Sequence, residues 1–146
     1  MDKNNEERFR TLKGYELTDN SRLTSALEDY LEMIYRSISE EGSIGVNKLA
    51  YKLNVRPPSS SKMVNNLRRL GYVEYERYGI IKLTKSGIKI GEYLLHRHNV
   101  LNRFFCLVNK SQNELKQTEK VEHFIDEKTV YNIEKLNEFL ESLEEH

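Results

Sequence analysis

Glu119, Glu122 and His123 stand at i, i+3 and i+4, two carboxylates and an imidazole that one face of a helix would hold together. Oxygen and imidazole-nitrogen donors at this spacing suit a divalent cation. In a chain that is 32% charged such a cluster is more often an ordinary solvated helix face, so the triplet alone decides little. Further donors lie elsewhere in the chain. Asp29 and Glu32, at i and i+3, border the apolar stripe of an earlier helix, and His98 falls on the apolar stripe of a long central one. His98 has its own plain alternative, a hydrogen-bonded core histidine. The single Cys106 can form neither an internal disulfide nor a thiolate zinc framework. Four carboxylates and two imidazoles without sulfur suit Mn2+, with Fe2+ as the second candidate, and two ions would spread the carboxylate charge more comfortably than one.

The elements that must position these donors can be read from periodicity and caps. Leu27, Tyr30, Leu31, Ile34, Tyr35 and Ile38 recur at three and four after Thr24 or Ser25 as N-cap, a helix that Glu41-Gly42-Ser43 ends. A short helix follows over VNKLAYKLNV, with Val46, Leu49, Ala50 and Leu53 apolar, and stops at Asn54. Pro57-Pro58 then opens another, keeping Met63, Val64, Leu67 and Leu70 on one face, until Gly71. Two short helices joined by a tight turn form a helix-turn-helix pattern. Directly after it, Tyr72 to Glu76, a turn at Arg77-Tyr78-Gly79, and Ile80 to Leu83 read as a β-hairpin, hence a wing. Thr84 caps the long helix to about Val108, whose stripe is Ile88, Gly91, Leu94, Leu95, His98, Leu101 and Phe105, with His96 and Arg97 pointing away. After the polar loop 109–113 comes the helix of the Glu119 triplet. A last helix carries Val130, Ile133, Leu136, Phe139, Leu140 and Leu143, a stripe that is core or partner-facing surface. The expected fold is mainly α: an N-terminal winged helix-turn-helix over 23–91 and an all-helical domain over 92–146, after an extension, 1–22.

Charge says what the winged helix would bind. The formal net charge is zero, yet residues 43–97 hold eleven basic residues against three acidic ones, and the flanks carry the compensating negative charge. A basic centre is the footprint of a polyanion-binding module. The candidate DNA-facing residues are Ser59, Ser60, Ser61, Lys62, Asn65, Asn66, Arg69 and Arg77: hydroxyls and amides to read base edges, cations to neutralise phosphates. At 146 residues the chain can build one compact domain or two small ones sharing a core. No apolar run reaches the roughly 18–20 residues that span a bilayer, and the start MDKNNEERFR is polar, so a cytoplasmic protein without a membrane partner is expected.

Several short stretches together resemble the diphtheria toxin repressor family, and within it the manganese-responsive branch. They are Leu27-Glu28-Asp29-Tyr30-Leu31-Glu32-x-Ile34-Tyr35, Val55-x-Pro57-x-Ser59, Lys62-Met63-Val64, Leu83-Thr84-x-x-Gly87, the pair Arg97-His98 and Glu119-x-x-Glu122-His123. The resemblance runs from about Leu23 to Leu143. It implies a C-terminal helical dimerisation domain and a homodimeric, metal-responsive repressor of metal-uptake genes that binds double-stranded DNA at a palindromic operator. It further implies that Asp29, Glu32, His98, Glu119, Glu122 and His123 form a binuclear manganese site in which Glu32 and Glu122 bridge the ions. The iron-responsive branch has Met at the position of Asp29 and Cys at that of Glu119, which places this sequence on the manganese side.

Two other readings compete. A winged-helix regulator of the MarR type would sense a small organic ligand at its dimer interface. A di-metal carboxylate enzyme could use the same Glu and His donors. That second reading leaves the basic 43–97 module without a task, and the chain offers no evident nucleophile or oxyanion donor, so no enzymatic role is expected.

Overall fold

Thr24 begins the first helix, α1 (Ser25–Glu41): its hydroxyl oxygen accepts the Leu27 N–H at 3.2 Å. Gly42 ends it in the left-handed region (φ +89°), its N–H returning to the Ile38 carbonyl. The inward stripe of α1, Leu27, Tyr30, Leu31 and Ile34, is buried in the core shared with the next elements. The protein is described here by a computed structural model covering residues 23–76 and 79–144. The expected extension over 1–22 and the candidate DNA contact Arg77 lie outside the described residues.

A two-residue strand, β1 (Ile44–Gly45), precedes α2 (Val46–Leu53), which Asn54 ends at φ +56°. The second helix of the pair, α3 (Pro57–Arg69), starts on the two prolines, where a missing N–H costs no helical bond. Strands β2 (Val73–Glu74) and β3 (Ile80–Leu83) form the expected hairpin, paired antiparallel with Val73 opposite Leu83. Sequence reasoning did not anticipate β1, which pairs with β3, Ile44 opposite Ile81, and makes the order β1-β3-β2. Leu31, Ile34, Leu49, Val64, Leu67, Ile81 and Leu94 fill the core between these elements.

Thr84 caps α4 (Lys85–Asn109), accepting from the Gly87 N–H at 3.1 Å while its own hydroxyl donates to the Gly71 carbonyl at 2.6 Å. At 25 residues α4 is about 37 Å long, and the boundary expected at residue 91 falls inside it. Two glycines let its first turns sit close. A Cβ on Gly87 would lie 1.9 Å from the Tyr72 carbonyl oxygen, and one on Gly91 would lie 2.7 Å from the Tyr35 Cβ. Gly87→Ala is therefore expected to lower stability by about 1–3 kcal/mol, because backbone rather than a movable side chain occupies the space. An unchanged denaturant midpoint would show that the hairpin yields.

Beyond α4, helix α5 (Leu115–Val121) is docked by Asn102, whose side-chain oxygen accepts the Glu114 N–H at 3.2 Å. A 3-10 turn (Glu122–Phe124) follows, then α6 (Glu127–Glu144), whose first turn Asp126 caps through the Thr129 N–H at 2.8 Å. Helix α6 packs along α4 by an inner row, Val130, Ile133, Asn137 and Leu140, and the Asn137 amide donates to the Val100 carbonyl at 3.0 Å. Its outer row, Leu136, Phe139 and Leu143, stays exposed, so the expected stripe divides into a core face and a free face. The architecture is the expected one: mainly α, a winged helix-turn-helix followed by an all-helical domain, with six α-helices among the described residues.

One surface contact ties α1 to the helix-turn-helix. Glu41 holds the ammonium groups of Lys48 and Lys52, and Lys52 also donates to the buried Ser37 hydroxyl at 3.1 Å. Hydrogen bonds from Lys48 and Lys52 draw the exposed Glu41 carboxyl down to about 2 from its ordinary 4.5. A depressed folded-state pKa contributes stability above the ordinary value and loses it as pH falls from about 4.5 to about 2. The stability gap between the parent and Glu41→Gln is thus expected to be small, constant down to about pH 5, closed near pH 2, and reduced by salt. A gap that widens on acidification would contradict this.

Candidate metal centre and nucleic-acid interface

Three elements converge beside the middle of α4. Helix α1 brings Glu28, Asp29 and Glu32, α4 brings Arg97 and His98, and the 3-10 turn brings Glu122 and His123. The His98 Nδ1 lies 2.7 Å from Glu122 Oε2, with only 4% and 2% of the two side chains exposed. Glu32, 12% exposed at its side chain, sits at 2.7 Å from Arg36 one turn on. Glu32, His98 and Glu122 each offer a ligand atom within 4.8 Å of the others, and so do Asp29, Glu122 and His123. Glu122 alone belongs to both clusters.

The electrostatics describe a place short of positive charge. Burial raises the Glu32 carboxyl to about 7, and the neighbouring Glu122 charge adds to the rise against the pull of Arg36, His98 and Arg97. On the other side, burial lowers His123, but hydrogen bonds to Asp29 and Glu28 outweigh it and hold the imidazole at about 9. His123 Nδ1 lies 2.9 Å from Glu28 Oε1, and Nε2 lies 3.1 Å from Asp29 Oδ1. Buried carboxylates that face one another with imidazoles between them fit a divalent cation, and the donors are all oxygen or nitrogen.

Five of the six candidate ligands are brought together: Asp29, Glu32, His98, Glu122 and His123. Glu119 is exposed on α5 and belongs to neither cluster. The reason is local. Helix α5 ends at Val121 and the chain tightens into the 3-10 turn, so the α-helical i, i+3, i+4 register does not carry through to Glu122 and His123. Two residues at the site were missed. Arg97, expected to point away, is 3% exposed and directs its guanidinium at Glu28, Nη2 to Oε1 at 3.2 Å and Nη1 to Oε2 at 3.4 Å. A buried guanidinium requires such a partner. Glu28 shares a helix face with Glu32 at i, i+4, and that spacing was the available signal.

On the nucleic-acid side, Ser59, Lys62 and Arg69 are exposed on α3, while Ser61, Asn65 and Asn66 are half-buried. Ser60 is not presented outward. It is 0% exposed, next to the Tyr30 hydroxyl, because it precedes Val64 and Leu67 on the inner row at intervals of four and three. The Asn65 amide donates to the Ser61 carbonyl at 3.1 Å, and Arg68 Nε donates to Asn65 Oδ1 at 3.3 Å, so Asn65 is oriented along the helix. An open cleft of about 770 Å³ runs between α2, α3 and the wing, lined among others by Lys48, Pro58, Ser61, Asn65 and Tyr75. The basic excess is partly spent internally, since Arg97 pairs with Glu28, and Lys48 and Lys52 with Glu41.

Comparison with known proteins agrees with this architecture. The structure is similar to that of the manganese regulator SloR, at 25% sequence identity and a TM-score of 0.67, covering 78% of this chain and 54% of that one. It is similar to the metal-dependent transcriptional regulator MtsR, at 24% identity and a TM-score of 0.69, covering 80% and 55%. A third similar structure is ScaR with bound Zn2+, at 22% identity and a TM-score of 0.64, covering 77% and 54%. The chain spans about half the length of each of these solved proteins. Residues 22–81 match the model of the iron dependent repressor N-terminal DNA binding domain, and residues 84–146 match that of the iron dependent repressor metal binding and dimerisation domain. The chain therefore belongs to the iron-dependent repressor family, the diphtheria toxin repressor family of metal-dependent regulators.

Proposed function

We propose that this protein is a homodimeric transcriptional repressor that binds a palindromic operator when it holds Mn2+, with Fe2+ as the second candidate, and that it controls metal-uptake genes from the cytoplasm. One observation carries the reading: Glu122 is common to two donor clusters that join α1 of the winged helix, α4 and the 3-10 turn. A DNA-binding half over 23–91 and a metal-binding, dimerising half over 92–146 then share α4 as a common spine. The proposed ligands are Asp29, Glu32, His98, Glu122 and His123, while Glu119 is exposed on α5 and belongs to neither cluster. A binuclear arrangement would account for the two clusters, to both of which Glu122 could supply a carboxylate oxygen. The absence of sulfur among the donors favours Mn2+ or Fe2+. SloR, at 25% identity, is described as a manganese regulator.

Bound divalent cations would supply the positive charge that the facing carboxylates lack. The rest follows from the chain's own packing. Glu32 and Glu122 repel across the interface between the halves, which loosens the seat of α1. Helix α1 passes its position on through Leu31 and Ile34, which pack with Leu49 of α2 and Val64 and Leu67 of α3. Fixing α1 therefore fixes α3. In a two-fold dimer formed on the outer row of α6, the paired α3 helices would meet half-sites about 34 Å apart, one duplex turn. Such an effector shifts an existing equilibrium only by its differential affinity for the two states.

The deciding experiment is a DNA-binding titration with Mn2+, Fe2+, Co2+ and Zn2+ at one fixed salt concentration, since phosphate contacts make affinity steeply salt-dependent. Operator affinity that rises with Mn2+ supports the proposal, and affinity indifferent to all four ions rules it out. Metal-dependent turnover without specific DNA binding would instead favour a di-metal enzyme. No described helix is long and apolar enough to cross a membrane.

A further inference from the structure

We propose that Glu28, clamped by Arg97, is a positioning residue that aims His123 into the cluster with Asp29 and Glu122, and that it serves this cluster alone. The inference rests on the proposed function, in which the clusters hold divalent cations. An imidazole can give only one nitrogen to a given ion, and the other needs an acceptor to fix tautomer and ring orientation. His123 has that arrangement on both sides. Its Nδ1 faces Glu28 Oε1 at 2.9 Å, leaving Nε2 turned toward Asp29 at 3.1 Å, inside the cluster.

Glu28 is itself held. Arg97 reaches both of its oxygens, Nη2 to Oε1 and Nη1 to Oε2, from a position 3% exposed on α4. A planar guanidinium fork fixes the plane of a carboxylate as a lysine ammonium could not. The chain Arg97, Glu28, His123 thus crosses α4, α1 and the 3-10 turn, the same three elements that furnish the donors. Glu28 belongs to neither cluster, since both its oxygens are already engaged. The other imidazole is built differently. His98 Nδ1 faces Glu122, a cluster member, at 2.7 Å, so its orientation does not depend on Glu28. Glu28 therefore distinguishes two sites that have a ligand in common.

The test is a titration of the full metal-free chain with Co2+, following its visible absorption, and with Mn2+, following free Mn2+ by electron paramagnetic resonance. Parent and Glu28→Gln are compared. The parent is expected to take up two ions. In Glu28→Gln one step should be unchanged and the other weakened about 10- to 100-fold, with an altered Co2+ band for that step only. A merely structural part for Glu28 would weaken both steps together. If Glu28→Gln fails to fold because Arg97 is left buried and unpaired, Glu28→Gln/Arg97→Gln removes both charges, and the same split is expected of it. Two steps weakened equally, or neither weakened, would overturn the inference while the parent's two-ion uptake left the proposed function standing. A parent that takes up no ion would overturn both.

Discussion

Glu122→Gln is expected to abolish the metal response of operator binding, with metal affinity falling by at least about 100-fold. Groups that merely support a ligand already contribute 10- to 100-fold. Glu122 stands in both clusters, so one substitution removes a donor from each. The Gln variant keeps the volume of a side chain 2% exposed and an oxygen that can accept from His98, so the fold should survive, as circular dichroism would verify. Glu119→Ala is the informative contrast, because Glu119 is exposed and outside both clusters. It is expected to lose far less, and equal losses in the two variants would mean that the 3-10 turn rearranges to bring Glu119 in.

The second large effect concerns the outer row of α6. Phe139 is 59% exposed, and Leu136 and Leu143 beside it are exposed as well, one turn apart on the same face. If the proposed dimer forms on this row, Phe139→Glu should convert it to monomer without touching the inner row of Val130, Ile133, Asn137 and Leu140. Affinity for a two-half-site operator is then expected to fall by about 10²- to 10⁴-fold, the usual advantage of a second, tethered contact. Affinity for a single half-site should not change. Sedimentation and operator titration together check this, and a variant that stays dimeric would place the interface elsewhere.

Much of the fold could be read from the chain because caps and stripes coincided. Thr24, Gly42, Asn54, Pro57 and Thr84 mark helix ends by their own backbone preferences, and the apolar rows between them have helical spacing. Strand β1 could not be read that way. Ile44–Gly45 is too short for an alternating pattern and exists only because β3 lies beside it. The site was legible as a set of residue types and partly illegible as geometry. Its donors were recognisable, but periodicity carried the helix past Val121, where the backbone in fact tightens, and so counted Glu119 with Glu122 and His123. Arg97 was placed outside because it falls off the apolar stripe of its helix, whereas its partner Glu28, 69 residues earlier, draws it in. Ser60 erred in the same direction, judged by its hydroxyl although its spacing to Val64 and Leu67 put it on the inner row.

In the proposed dimer, the unbroken run of α4 would make residue count itself a determinant of operator geometry. Gly87 fixes the start of the helix to the hairpin, and Val100 anchors α6 further along. One residue added or removed between them would change the separation by only about 1.5 Å but turn the wing about 100° relative to the dimer face. Each half-site would still fit its own α3, yet the two halves of a dimer would present them out of phase. On the proposed function, the arithmetic of 3.6 residues per turn would thus link where the protein pairs with its copy to where along the duplex it can read.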